Sequence, residues 1–169
     1  MCLAWKLLSA PLTKRKRGVA GDDVYLLDVN VLVALLWPNH MHHGAVIRWF
    51  GTDGNRQFAT CALTELGFAR LSCNPSAVGK AVTLNTALET LAGVSRMPNH
   101  HFLDETAQLH PTLSPIAAHV VGHRQVSDAY LIALARIHGA KLATLDARIR
   151  RAFAGSDWVE SVEDLLTLK

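Results

Sequence analysis

Short apolar runs alternate along this chain with stretches whose apolar residues recur every three to four positions. VYLLD, residues 24–28, is of the first kind and predicts a buried strand. Helical spacing follows over 30–36 and stops ahead of Pro38. It returns over 42–50, where Ala45, Ile47 and Trp49 supply apolar contacts. Turn residues at 51–55 lead into QFATC, 57–61, a second strand. Residues 63–73 read as a helix ending near Asn74 and Pro75, with Leu63, Leu66, Arg70 and Cys73 along one side. Ser76 suits the cap of a longer helix to Leu91 that carries Val78, Val82, Leu84 and Leu88. HHFLD, 100–104, predicts a strand, and 114–122 a short helix.

The clearest helix covers 128–138, where Tyr130, Ala133, Leu134 and Ile137 share one face, Ser127 can cap the start and Gly139 can end it. KLATLD, 141–146, is again a strand, followed by a short basic helix over 148–153 and an edge strand over 158–162. This alternation predicts an α/β fold with a central, mostly parallel β-sheet flanked by helices on both faces. Residues 24–169 form one domain, and 1–23 read as a basic, mobile extension.

The length of 169 residues suits a single core, and a chain half hydrophobic and 18% charged is expected to fold. The net charge of +3 is misleading as a guide to partners. Five of the 17 basic residues and two of the 14 acids lie in the extension, which leaves 12 of each from Val24 onward. Nucleic-acid binding therefore has to be argued from a site and not from overall charge. Three cysteines are too few and too irregular for a disulfide framework or a zinc site, which suits a reduced, cytoplasmic setting. No apolar run approaches the roughly 18–20 residues that span a bilayer, and the basic block follows the apolar part of the extension, the reverse of a secretory signal.

Chemistry enters through the acids. Ligands of open parallel sheets bind outside the carboxyl ends of the strands. Asp28 and Asp146 end predicted strands, Glu65 lies one turn into the helix after the second strand, and Asp128 opens the clearest helix. Carboxylates gathered on one rim repel one another unless a cation joins them. An all-oxygen donor set favours a hard ion, Mg2+ or Mn2+, over zinc. Such an ion acidifies water and polarises phosphoryl oxygens, which points to phosphodiester hydrolysis.

The local words sharpen this reading. LLDVNVLVALL (26–36), TCALTELGFARL (60–71), QVSDAYLIALA (125–135) and LATLD (142–146) resemble, in order and spacing, the acidic motifs of PIN domains, in particular the VapC toxins of bacterial type II toxin–antitoxin pairs. The resemblance covers essentially all of 24–169 and implies that Asp28, Glu65, Asp128 and Asp146 are the metal ligands and catalytic acids. Asn30, Thr64, Ser127 and Thr144 match the supporting polar positions. It further implies an endoribonuclease that cuts structured RNA, tRNA or rRNA, with Mg2+ or Mn2+. A homodimer and a VapB-type antitoxin whose tail occupies the cleft complete the expectation.

Each acid also has a plainer role to set beside this one. Asp28 can cap the helix that follows it, Asp128 suits the dipole of a first turn, and Asp146 can open a loop. Glu65 is harder to dismiss, because a carboxylate among Leu63, Leu66 and Phe68 is costly to bury without a partner. Arg148, Arg150 and Arg151 follow Asp146 closely enough to grip RNA phosphates, with a solvated helix face as the alternative. His40, His42, His43, His100 and His101 fit no zinc spacing and read as packing or solvated residues. Haloacid-dehalogenase chemistry needs a second Asp two residues after the first, where this chain has Asn30. A dinucleotide site needs a glycine-rich turn that DVNVLVALL lacks. A PIN-like module that binds without cleaving, and a related nuclease acting on DNA, are the remaining alternatives.

Overall fold

The computed structural model describes residues 23–51, 56–80, 82–104 and 108–167; the amino-terminal extension up to residue 22 lies outside them. β1 (Val24–Leu27) is buried at every position but its first, as expected of a strand covered on both faces. α1 (Val29–Leu36) and α2 (His43–Gly51) lead to β2 (Phe58–Thr60), and α3 (Ala62–Ser72) follows at once. Next come α4 (Pro75–Val78), α5 (Leu84–Ser95), β3 (His100–Phe102) and α6 (Leu109–Leu113). α7 (Val126–Ile137), β4 (Ala140–Thr144), α8 (Ala147–Ala152) and β5 (Val162–Asp164) complete the chain.

All five strands are parallel, in the order β3-β2-β1-β4-β5. β1 is central, and its alternation divides the core. Tyr25 and Leu27 pack with Leu32, Trp49, Phe68 and Leu91 of α1, α2, α3 and α5. Leu26 packs on the other face with Ile132 and Leu134 of α7 and with Phe153. Each such side chain, fully buried, stabilises the fold by about 1.5–3 kcal/mol. The expected layers, a parallel sheet between helices, are therefore present.

α1 and α3 lie unusually close. A Cβ on Gly67 would stand 2.5 Å from Cγ2 of Val29, so only glycine lets α3 approach the residue that follows Asp28. Trp37 ties the same pair together: its Nε1 donates to Ser72 Oγ at 2.8 Å and its ring stacks on Phe68.

Five local expectations are corrected. The single helix from Ser76 to Leu91 is two helices, parted at Gly79, which has φ +76°. Asn74, not Ser76, caps the first by accepting from Ser76 N, and Thr83 caps the second. The helix expected over 114–122 lies earlier, at Leu109–Leu113, because Pro111 falls in a first turn where no N–H is needed; a 3-10 turn at Ala117–His119 takes its place. α7 begins at Val126 after Gln125, so Ser127 lies inside the first turn and does not cap it. The edge strand falls at Val162–Asp164, and Asp157–Ser161 is a 3-10 turn. Among the described residues no helix is long and apolar enough to cross a membrane.

Candidate active site

β1 and β4 are adjacent and in register through Leu27 and Ala143, so the residues just past them, Asp28 and Thr144, meet at the carboxyl rim. Asp28 is 8% exposed. Its Oδ1 accepts from Val29 N at 2.7 Å, as the cap of α1, and its Oδ2 accepts from Thr144 Oγ1 at 2.8 Å. Thr144 Oγ1 in turn accepts from Asn30 Nδ2 at 3.2 Å and from Asp146 N at 3.1 Å. Asn30 Oδ1 accepts from Leu145 N at 3.1 Å, which locks the start of α1 to the end of β4. Asn30 and Thr144 thus both bond into the group around Asp28. The capping role of Asp28 is also real, but it engages one oxygen and leaves the charge buried.

That charge is not comfortable. Burial pushes the Asp28 carboxyl up from its ordinary value, and the nearby Asp146 charge adds to this; the bonds from Thr144, Val29 and Asn30 pull the other way. Asp128, in the first turn of α7, is raised to about 6, first by burial and then by the charges of Asp28 and Asp146. Three acids far apart in sequence are therefore within electrostatic reach of one another. Asp146 is the exception in sign. Its carboxyl is held below the usual range by Arg148, whose guanidinium grips both its oxygens at 2.6 to 3.0 Å. Asp146 also caps α8 by accepting from Arg148 N at 2.9 Å.

Glu65 stands apart from this trio and is not among the charges that shift Asp28 or Asp128. It is half-buried in α3, and its Oε1 accepts from Thr60 Oγ1 at 2.6 Å. Thr60 ends β2, the strand beside β1, so Glu65 still belongs to the carboxyl side of the sheet. Thr64 is fully buried and serves α3: Cys61 N donates to its hydroxyl, which lies 3.1 Å from Cys61 O. It holds the start of the helix that carries Glu65. Ser127 is exposed beside Asp128.

The three arginines divide. Arg148 is 81% exposed at its side chain and lies on the acids. Arg150 donates to Val162 O at 2.8 Å, which ties α8 to β5, and Arg151 donates to Ala147 O within its own helix. Asp164, the acid ending β5, is buried and accepts from Leu166 N at 3.0 Å in the turn that follows. Sequence reasoning missed Thr60 and His100, which lie 2.8 Å apart behind Glu65; the T of QFATC at a strand end was the available signal.

Among the described residues no three His, Cys, Asp or Glu side chains are gathered closely enough to hold an ion. Asp28, Asp128 and Asp146 are within reach of one another's charges. The donor chemistry nevertheless fits a hard divalent cation: one buried and one half-buried carboxyl, raised first by burial and then by neighbouring like charges, with oxygen donors alone. Among the described residues Arg148 is the cation that counteracts the charge at Asp128, and it is engaged by Asp146.

A parallel sheet with helices on both faces and an acidic carboxyl rim defines the class to which this protein belongs. Within that class the chain is a member of the PIN domain family, whose sequence profile matches residues 25–153. It is 41% identical to Ribonuclease VapC38 of Mycobacterium tuberculosis over 124 residues, covering 73% of this chain and 86% of the relative. It is 40% identical to Ribonuclease VapC39 (73% and 89% covered) and 37% identical to Ribonuclease VapC29 (72% and 85% covered) of the same organism. A solved structure described as "Structure of FitAB bound to IR36 DNA fragment" superposes with a TM-score of 0.52 over 86% of this chain and 97% of that one. At 19% identity that likeness speaks for the fold alone.

Proposed function

We propose that this protein is the toxin of a VapC-type toxin–antitoxin pair, an endoribonuclease that hydrolyses phosphodiester bonds in structured RNA (tRNA or rRNA) with Mg2+ or Mn2+. The observation that carries the reading is the gathering of Asp28, Asp128 and Asp146 at the rim, where burial first and neighbouring like charges second hold two of the three carboxyls up. The names of relatives 37–41% identical over most of their length support the substrate class.

In this reading Asp28 and Asp128 hold the ion, with Asp146 beside them and Glu65 sharing it or orienting the attacking water. A divalent cation bound there polarises the phosphoryl oxygens and lowers the pKa of water. The chain's own groups do the rest. Thr144 and Asn30 fix the rotamer of Asp28, so that the site needs little reorganisation when substrate arrives. Arg148 has the exposure and the five donors to pass from the Asp146 carboxylate to a substrate phosphate. Arg150 and Arg151, engaged with backbone carbonyls, contribute less.

The partners proposed with this activity are a VapB-type antitoxin that covers the cleft and a second copy of the chain in a homodimer. Light scattering at micromolar concentration tests the dimer, and a monomer there overturns it. The activity is tested on purified protein with structured RNA and Mg2+ or Mn2+. Cleavage that stops with EDTA and in Asp28→Asn is expected. Cleavage indifferent to both overturns the reading, and preference for a DNA substrate moves it to the related DNA nucleases.

A further inference from the structure

We infer that His100 is a positioning residue that acts through the Thr60 hydroxyl to orient Glu65, an inference that rests on the proposed nuclease reading of the acids. Thr60 Oγ1 lies 2.6 Å from Glu65 Oε1 and 2.8 Å from His100 Nε2. The hydroxyl has one hydrogen, and an ionised carboxylate can only accept. That hydrogen therefore goes to Glu65, and His100 must supply the other, from Nε2–H to Thr60 Oγ1. The result is a chain of bonds with one direction, from imidazole to hydroxyl to carboxylate.

Three features hold this chain in place. Thr60 is fully buried at the last position of β2, where a hydroxyl without partners would be costly. β2 and β3 are in register through Phe58 and His100, so both side chains rise from the same face of the sheet. The His100 ring rests edge-on against Phe58, with centroids 5.2 Å apart, which sets the direction of Nε2. The neighbouring His101 is tied separately, its Nε2 lying 2.9 Å from Gln57 Oε1. Burial, and then the charge of His101, hold the His100 imidazole below its ordinary pKa, consistent with a neutral donor.

The consequence for Glu65 is directional. With Oε1 fixed by Thr60, the carboxylate cannot rotate freely, and Oε2 is the oxygen offered to a metal ion or to water. Partners that orient a ligating group commonly matter about 10–100-fold in metal affinity or activity. An edge strand thereby reaches the site without touching it.

The test compares Thr60→Val with Thr60→Ser, and His100→Leu with His100→Gln, in the full chain. Binding of Mn2+ is read by electron paramagnetic resonance, beside RNA cleavage and circular dichroism for folding. Thr60→Val and His100→Leu are expected to weaken Mn2+ binding by about 10-fold or more. Serine keeps the hydroxyl and glutamine an N–H near Nε2, so those variants are expected to restore most of it. Unchanged Mn2+ binding in His100→Leu, or equal loss in His100→Leu and His100→Gln, overturns the positioning role. Should Thr60→Val fail to fold, the His100 pair decides alone. Glu65→Gln without effect, beside an inactive Asp28→Asn, overturns this inference and spares the nuclease reading. A wild-type protein without metal-dependent cleavage takes down both.

Discussion

The two ends of the sheet treat their charges in opposite ways. At the amino end Asp23 meets Lys141 at 2.7 Å, and Arg136 meets Asp157 at 2.7 Å on the outer surface. Every one of these charges has a partner of opposite sign, and water screens what remains. At the carboxyl end Asp28 and Asp128 are raised by burial and by neighbouring acids, and Arg148 is held by Asp146. A fold that neutralises its charges at one end has the means to do so at the other. Where it leaves buried like charges within reach of one another, a ligand of opposite charge is the economical explanation.

The largest break in this contrast comes from Asp28→Asn. The amide keeps the shape and an acceptor for Val29 N but removes the buried charge. RNA cleavage is expected to fall by at least ~100-fold, comparable to losing one key electrostatic contact, while circular dichroism shows a folded protein. Next in size is Gly67→Ala. The added methyl would meet Val29 Cγ2 at 2.5 Å, and the short, branched valine has little room to yield, so α3 must back away from α1. A loss of about 1–3 kcal/mol in denaturant unfolding is expected, with reduced cleavage because Glu65 rides on α3.

The third test uses pH. Asp128 is raised from 3.8 to about 6 in the folded protein, which therefore holds this proton more tightly than the unfolded chain does. Its contribution to stability is present at low pH and declines as pH rises from about 4 through 6. Metal-free protein is expected to melt higher at pH 5 than at pH 7. Asp128→Asn should flatten that slope and stabilise the metal-free protein at pH 7 by roughly 1 kcal/mol, after allowance for solvent screening of a half-buried group. Asp146 has the opposite sign, but its depressed value places its effect below this window. The smallest effect belongs to the amino end: Asp157→Ala, which breaks an exposed pair, should leave cleavage and melting indistinguishable from wild type.

Much of this architecture was legible in the sequence. VYLLD and KLATLD announced two buried strands, each closed by an acid, and their adjacency in the sheet follows from the rules of parallel α/β folds. Gly139 ends α7 with φ +67°, as its position promised. The break at Gly79 was hidden because apolar spacing continues through it from Val78 to Leu84, while the caps that decide the matter are Asn74 and Thr83. Of the site, the Asp28, Asn30 and Thr144 group was readable because those residues flank strand ends. What Arg148, Arg150 and Arg151 each bind was not readable. On so short a helix two positions separate a carboxylate partner from a carbonyl of the next strand. The Thr60–His100 contact joins two strands 40 residues apart, and only their register brings it about.

A crystal structure grown with Mn2+ tests the shared-ion claim most directly. The account predicts anomalous density between the carboxylates of Asp28 and Asp128, at roughly the 2.0–2.1 Å typical of small hard divalent cations on oxygen. Mn2+ bound elsewhere on a protein that still cleaves RNA, with Asp28 and Asp128 left bare, would contradict it.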